Sequence, residues 1–190
     1  QLVKFLIDYP DRYKTGILLA MYTGIRIGEL CALQGKHISI ENKTIRIEQT
    51  VQRLRKRADT NTGKTQLVMS SPKSINSTRT IPLPNFLCDY LDKFPTYEDC
   101  YFLSGKGDKI VEPRTMQNHF KKYLSAQNIL NVNFHALRHT FATRCIEEGF
   151  DVKSLSEILG HSSVKITLDR YVHSSLEQKR LCMGRLHLQK

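Results

Sequence analysis

Phe134-His-Ala-Leu-Arg-His-Thr-Phe-Ala-Thr-Arg-Cys-Ile-Glu-Glu148 is the stretch from which the fold is read. Leu137, Phe141 and Cys145 recur at helical spacing and make one apolar stripe. His135 and Arg138 fall off that stripe, one turn apart on a common face. Gly149 follows the last periodic residue, where a helix stops. Asp151 can then cap a new helix with Val152, Leu155, Ile158 and Leu159 on its apolar face, and Gly160 ends it. Upstream, a helix is predicted from Pro113 to about Gln127. Downstream, shorter helical segments are predicted over 163–170 and 174–187. From Pro113 onward the chain reads almost wholly as helix.

The first part of the chain is mixed. Asp11 can cap a helix carrying Ile17, Leu18 and Met21, with Gly24 placed to end it. A short helix should follow from Arg26 to Leu33, with Ile27, Leu30 and Cys31 on one face. His37-Ile-Ser-Ile40 and Thr44-Ile-Arg-Ile-Glu48 alternate around Glu41-Asn-Lys43, which predicts a β-hairpin. Residues 53–64 read as a basic loop or an extended hairpin tip. Gln66–Ser70 and Arg79–Leu83 are strand candidates flanking a turn rich in Ser, Asn and Lys. Pro84 suits the first turn of a helix through Leu91. The fold class predicted is mainly α with a small antiparallel β-sheet.

Composition narrows the function classes. The chain has 190 residues, with 29 Lys and Arg against 18 Asp and Glu, a formal net charge of +11. A share of 40% hydrophobic and 25% charged residues argues against a disordered or collagen-like chain. The excess of positive charge points to an anionic partner, most often nucleic acid. The plainer alternative is a ribosome-associated or merely basic protein. The longest apolar stretch, Ile17 to Tyr22, is far too short to span a bilayer, and no membrane partner is expected. The five Cys are odd in number and contain no CxxC pair, against a disulfide framework or a Cys-rich zinc ribbon. Cys31, Cys88 and Cys145 read as small core residues in a reducing compartment. No secretory signal pattern precedes the first helix. The start at Gln1 reads as that of a fragment with a domain missing upstream.

Some residues carry chemistry. Thr23-Gly-Ile-Arg-Ile-Gly-Glu-Leu30 puts Arg26 at a helix start, with Glu29 three residues later on the same face. An Arg there can reach a phosphate while the acid orients it; a surface ion pair is the commoner meaning of that spacing. His135 and His139 have a zinc-like spacing, yet residue 136 is Ala where the metalloprotease helix carries Glu. Metal binding is therefore not expected, and His139 reads as structural. His161 stands just past a helix end. Tyr171, in Asp169-Arg-Tyr-Val-His173, alone would read as a packing residue.

Taken together, these pieces resemble the catalytic domain of the tyrosine recombinase (phage integrase) family. The matching stretches are Thr23–Leu30, His135–Thr140, Leu159–Ser162 and Tyr171–His173, in the family's order and with similar spacing. The resemblance runs from about residue 10 to about residue 180. Among relatives it looks most like the integrases of conjugative transposons and Gram-positive phages. The stretch Ser71-Pro-Lys-Ser-Ile-Asn-Ser-Thr-Arg-Thr-Ile-Pro82 resembles the family's Lys-turn-Arg-x-Ile-Pro pattern.

That resemblance implies transesterification of a DNA phosphodiester without metal, ATP or another cofactor. Tyr171 would attack the phosphorus and form a 3′-phosphotyrosyl link. Arg26 and Arg138 would neutralise the non-bridging oxygens, and His161 would donate to them. His135 would serve as base and Lys73 as acid to the departing 5′-oxygen, with Lys64 the alternative for that acid. Glu29 would hold Arg26 or another basic group. Arg53, Arg55, Lys56, Arg57 and Lys64, with Lys121 and Lys122, would contact DNA phosphates. The implied partners are double-stranded DNA and further copies of the chain in a synaptic tetramer. The implied location is cytoplasmic, on the nucleoid when bound. Residues 1–173 would form the catalytic domain. Residues 174–190, with Leu176, Leu181, Met183, Leu186 and Leu188, would form a tail docking in cis or in trans. A core-binding domain would lie upstream. The rivals are a DNA-binding module without catalysis, a type IB topoisomerase, and a zinc hydrolase built on His135, His139 and His161.

Overall fold

The computed structural model describes residues 1–55, 65–70, 78–130, 132–171, 180 and 183–184. Its centre is a helix that is apolar on every side over one turn. Asp11 accepts a hydrogen bond from the Lys14 backbone N–H at 2.8 Å and so starts α2, Arg12–Thr23. Ile17, Leu18, Leu19 and Ala20 are all fully buried, so α2 is surrounded rather than laid on a surface. Gly24 ends it at φ 65°, and its N–H returns to Ala20 O. A Cβ at Gly24 would stand 2.6 Å from a Phe141 ring carbon, so a side chain there would push α6 away. A short helix α1, Leu2–Ile7, precedes α2 and packs on it. It was not foreseen, because it has no side-chain cap.

The short helix α3, Ile27–Ala32, follows as predicted within a residue at each end. The predicted hairpin forms from β1, Ile38–Ser39, and β2, Thr44–Ile47. The rest of the β region differs from the single sheet expected. β3, Thr50–Arg55, pairs with β4, Thr65–Ser70, as a separate two-stranded ribbon. β5, Arg79–Pro82, returns to β2 and completes the order β1-β2-β5. The pairing follows burial. Ile81 lies opposite Ile45, and both are closed into the core. The ribbon is largely exposed and is anchored by Val51. It is fixed to α3 where Gly28 meets β3: a Cβ at Gly28 would lie 2.5 Å from Thr50 Oγ1.

α4, Asn85–Asp92, begins after Pro84, and α5, Pro113–Ser125, carries Pro at its first position. α6, His135–Glu147, crosses α2. Asp151 caps α7, Val152–Leu159, by accepting from Ser154 N at 2.8 Å, and Gly160 ends it with φ 62°. α8, Val164–Tyr171, packs on α7 and α6. The predicted helix over 174–187 falls almost wholly outside the described residues. Two apolar clusters result. The larger joins α2, α3, the three-stranded sheet, α4 and α5. The smaller joins Ala142, Cys145, Leu155 and Leu159, with Tyr171 packed against it. Cys31, Cys88 and Cys145 are buried as expected, and burial pushes the Cys31 thiol up to about 12. Among the described residues no helix is long and apolar enough to cross a membrane.

Candidate active site

The start of α3, the hairpin edge, α6 and the α7–α8 turn converge on one group of basic side chains. Glu29 is at its centre and only 4% exposed. One carboxylate oxygen accepts from Arg26 Nη1 at 2.8 Å, and the other from the Arg26 backbone N–H at 2.8 Å. Arg79, from β5, grips the same carboxylate with both terminal nitrogens, at 3.1 and 2.9 Å. Its Nε donates to the Ile158 carbonyl at 2.6 Å. The alternative of a plain surface ion pair is thereby overturned: Glu29 is a buried anion clamped between two guanidinium groups. Burial alone would raise its carboxyl. The Arg79 hydrogen bonds and the charges of Arg79 and Arg26 outweigh that, and hold it below the ordinary carboxylate range.

Arg138 is 2% exposed. It shares a helix with His135, yet it points inward, where Nη1 donates to Gly24 O at 2.7 Å and Nη2 to Leu159 O at 2.6 Å. Both acceptors are orphan carbonyls at helix ends, so Arg138 completes the ends of α2 and α7 while they fix its plane. Burial, then the nearby charge of Arg26, push Arg138 down to about 9. It is still a cation at neutral pH, in a place short of negative charge. Arg26, Arg138 and His135 line one cleft of about 600 Å³, together with Gln52, Gln117 and Asn133. Such a cleft is suited to an oxyanion.

His161 is buried, and its Nδ1 lies 2.8 Å from Thr167 Oγ1, itself fully buried. Burial first, then Arg138, Arg26, Arg170 and Arg79, lower His161 to about 4. The ring is neutral at neutral pH. The folded state resists protonation that the unfolded chain accepts near 6.5, so this contribution to stability is complete above that value. It is lost as pH falls from about 6.5 towards 4. Replacing His161 by Asn should flatten the acid decline of stability within that window, as read by denaturant midpoints at stepped pH. An unchanged decline would remove His161 from the account.

His135 is exposed, and its ring meets that of His139 edge-on at 4.6 Å between centroids. Burial of part of the ring and the charges of His139 and Arg138 lower its pKa. Tyr171, at the end of α8, places its hydroxyl 2.9 Å from His139 Nδ1. His139 had been read as structural. The geometry adds to that reading a contact with the hydroxyl of Tyr171. Arg79 was the other residue overlooked; its signal was its place in the Arg-x-Ile-Pro stretch.

The remaining predicted residues fall elsewhere. Lys73, Lys56, Arg57 and Lys64 lie outside the described residues. Arg55 is the last residue of β3. Arg53 is exposed at the cleft, but it is not a free cation: it binds Glu112 in a bidentate pair, with a 2.6 Å contact from Nη2. Lys121 and Lys122 are exposed on α5, away from the cleft. Among the described residues, no three His, Cys, Asp or Glu side chains form a group able to hold a metal ion.

Comparison with known proteins gives a consistent picture. Residues 1–178 match the family model described as "Phage integrase family". A "Tyrosine recombinase XerC-like" protein of Caldanaerobacter subterraneus subsp. tengcongensis is 30% identical over 88% of this chain and 47% of its own length. The transposase from transposon Tn916 of Enterococcus faecalis is 28% identical, over 92% of this chain and 45% of its own. The chain thus spans about half the length of the curated relatives it matches. Among solved structures, the Tn1549 transposon integrase in complex with transposon right end DNA superposes with a TM-score of 0.73 at 27% identity, covering 96% of this chain and 63% of that one.

Proposed function

The chain belongs to the phage integrase family of tyrosine recombinases, and from that premise we propose that it recombines DNA at specific sites through a covalent 3′-phosphotyrosyl intermediate. The observation that carries the reading is the convergence of Arg26 and Arg138 in one cleft, with the Tyr171 hydroxyl held 2.9 Å from the ring of His139, the residue after Arg138 on α6. Two fixed guanidinium groups match the charge that develops on the non-bridging oxygens of a phosphorane. They are oriented in advance, Arg138 by two carbonyls and Arg26 by Glu29, so little reorganisation opposes the reaction. His161 adds a neutral donor to the same oxygens. Tyr171 attacks, the 5′-oxygen leaves, and Lys73 protonates it. A 5′-hydroxyl of a partner strand reverses the step. The bond energy is kept in the tyrosyl ester, so no nucleotide is consumed.

The partner is double-stranded DNA; the Tn1549 integrase structure is a complex with transposon right end DNA. Arg55 and the basic residues of the following segment, with Lys121 and Lys122, supply phosphate contacts, and Arg53 does so only by exchanging Glu112 for a phosphate. Each phosphate neutralised should steepen the fall of log affinity with log salt by about 0.9. Recombination needs four active sites, so the assembly proposed is a tetramer on paired sites. In it, residues 174–190 dock in cis or onto a neighbouring copy.

The test is covalent trapping. The chain is incubated in EDTA with a nicked suicide substrate that loses its 5′-hydroxyl fragment after cleavage. A protein–DNA adduct that survives denaturation is expected, along with salt-sensitive binding. Binding with no adduct, even on a substrate with an activated 5′-leaving group, would favour a DNA-binding module without catalysis. Relaxation of supercoils without paired sites would favour a topoisomerase.

A further inference from the structure

His139 stands on α6 one turn beyond His135 and one residue beyond Arg138. The reaction scheme above leaves it without a task. Its Nδ1 is nevertheless the ring nitrogen in hydrogen-bond contact with the Tyr171 hydroxyl, at 2.9 Å. The position of that hydroxyl is set by packing. Tyr171 lies against the apolar cluster of Ala142, Cys145, Leu155 and Leu159, and so its ring is directed by the core between α6, α7 and α8. The tyrosine and His139 rings are 5.7 Å apart and tilted by 51°, an arrangement in which the hydroxyl meets the ring edge rather than its face. His135, the base expected from the family, meets His139 edge-on.

Resting on the strand-transfer reading, we propose that His139 is a catalytic residue: it accepts the Tyr171 proton through Nδ1 when the tyrosine attacks. The resting ring then carries its hydrogen on Nε2 and leaves Nδ1 as acceptor. In the step, the Tyr171 O–H bond breaks and its proton passes to Nδ1. The oxygen electron pair forms the O–P bond. The P–O5′ bond breaks, and the 5′-oxygen takes a proton from the general acid and leaves as a hydroxyl. On reversal, the His139 imidazolium returns its proton to the phenolate. The groups facing this pair are His135 and Arg138 on α6, Arg170 on α8, and Arg26 ahead of α3. Partial burial, then the charges of His139, Arg138, Arg170 and Arg26, oppose a second proton on the neighbouring His135. The nearest anion of the site, Glu29, is held by Arg26 and Arg79 and is not available as a base.

The experiment compares His139→Ala, His139→Asn and His135→Asn with the unmodified chain in single-turnover cleavage across pH. Asn at 139 keeps a hydrogen-bonding atom near the Nδ1 position but cannot store a proton. His139→Ala and His139→Asn should both slow cleavage by about 10²–10⁴-fold. Both should also lose the acid limb of the rate profile and gain rate towards the free tyrosine pKa of about 10. The defect should persist on a substrate with an activated 5′-leaving group, which bypasses the acid but not the base. Asn cleaving like His would reduce His139 to a hydroxyl holder and overturn the proposal. So would a profile that changes only in His135→Asn. A readout independent of turnover is the ring ¹⁵N spectrum of the unmodified chain. The Nε2–H tautomer is expected at His139, with a titration that shifts in Tyr171→Phe. An identical titration in that variant would show no contact and also overturn the proposal. A missing adduct in the unmodified chain would instead strike the strand-transfer reading.

Discussion

Tyr171→Phe should abolish the covalent DNA adduct while leaving folding and DNA affinity almost intact. The change deletes one oxygen. The ring keeps its place against Ala142, Cys145, Leu155 and Leu159, so no cavity opens. The lost hydrogen bond is solvent-exposed and should cost no more than about 0.5–1.5 kcal/mol. No cation is removed, so the salt dependence of binding should keep its slope. The nucleophile alone disappears. Four of the seven other tyrosines are engaged elsewhere. Tyr101 is buried, and Tyr13 is stacked on His119. Tyr123 hydrogen-bonds Asp11, and burial together with that carboxylate pushes its hydroxyl well up. Tyr22 lines a separate groove, with Phe141 and Ile158. The measurement is the adduct yield from a suicide substrate, alongside melting and binding isotherms. An adduct at undiminished rate would sink the assignment of Tyr171. Loss of adduct together with loss of binding would show that the residue is structural.

The helices were legible because their ends are chemically marked. Asp11 with Gly24, and Asp151 with Gly160, bracket α2 and α7 as the sequence suggests. Arg26, His135, Arg138, His161 and Tyr171 were singled out through the family's spacing; the fold lines one cleft with Arg26, His135 and Arg138, sets His161 in a separate hollow beside Arg79, and places Tyr171 against His139. What sequence did not carry was the identity of neighbours distant along the chain. Whether β4 joins β3 or β5 depends on which strand offers a buried partner, and local alternation is silent on that. Arg53 was read as a phosphate contact, and Glu112 became its partner across 59 positions. His139 sits about 100° around α6 from Arg138, off the face assigned to the site. Only the return of α8 over α6 gives it a role. Arg79 was visible as a basic residue beside a strand, but its burial follows from β5 lying against α7 and its pairing from Glu29 on α3.

Glu29→Ala should be the most destabilising single change in the site. Glu29 neutralises two cations, and they differ in their access to water. The Arg26 side chain is 39% exposed and can rehydrate. That of Arg79 is 6% exposed and cannot do so without opening the packing of α7 on β5. Most of the cost therefore arises at Arg79, where a buried guanidinium loses the Glu29 carboxylate, a loss of about 3–5 kcal/mol. A loss below about 1 kcal/mol, the scale of an exposed pair, would overturn this view. Glu29→Gln keeps the shape and one acceptor oxygen and should fall between. The pH sign follows from the depressed Glu29 carboxyl. Its stabilisation is complete above the ordinary carboxylate pKa of about 4.3 and is lost as pH falls below that towards the lowered folded value, so both variants should show a shallower acid decline there. Removing Arg79 as well separates stability from catalysis. Glu29→Leu combined with Arg79→Met replaces the buried pair by apolar groups and should recover much of the stability. Cleavage should not recover, because Arg26 still lacks the carboxylate that fixes its plane. The residual defect should be about 10²–10³-fold, the effect of losing one aligned donor to the transition-state oxyanion. Recovery of both together would mean that Arg26 is held in place by Gly160 and the cleft rather than by Glu29.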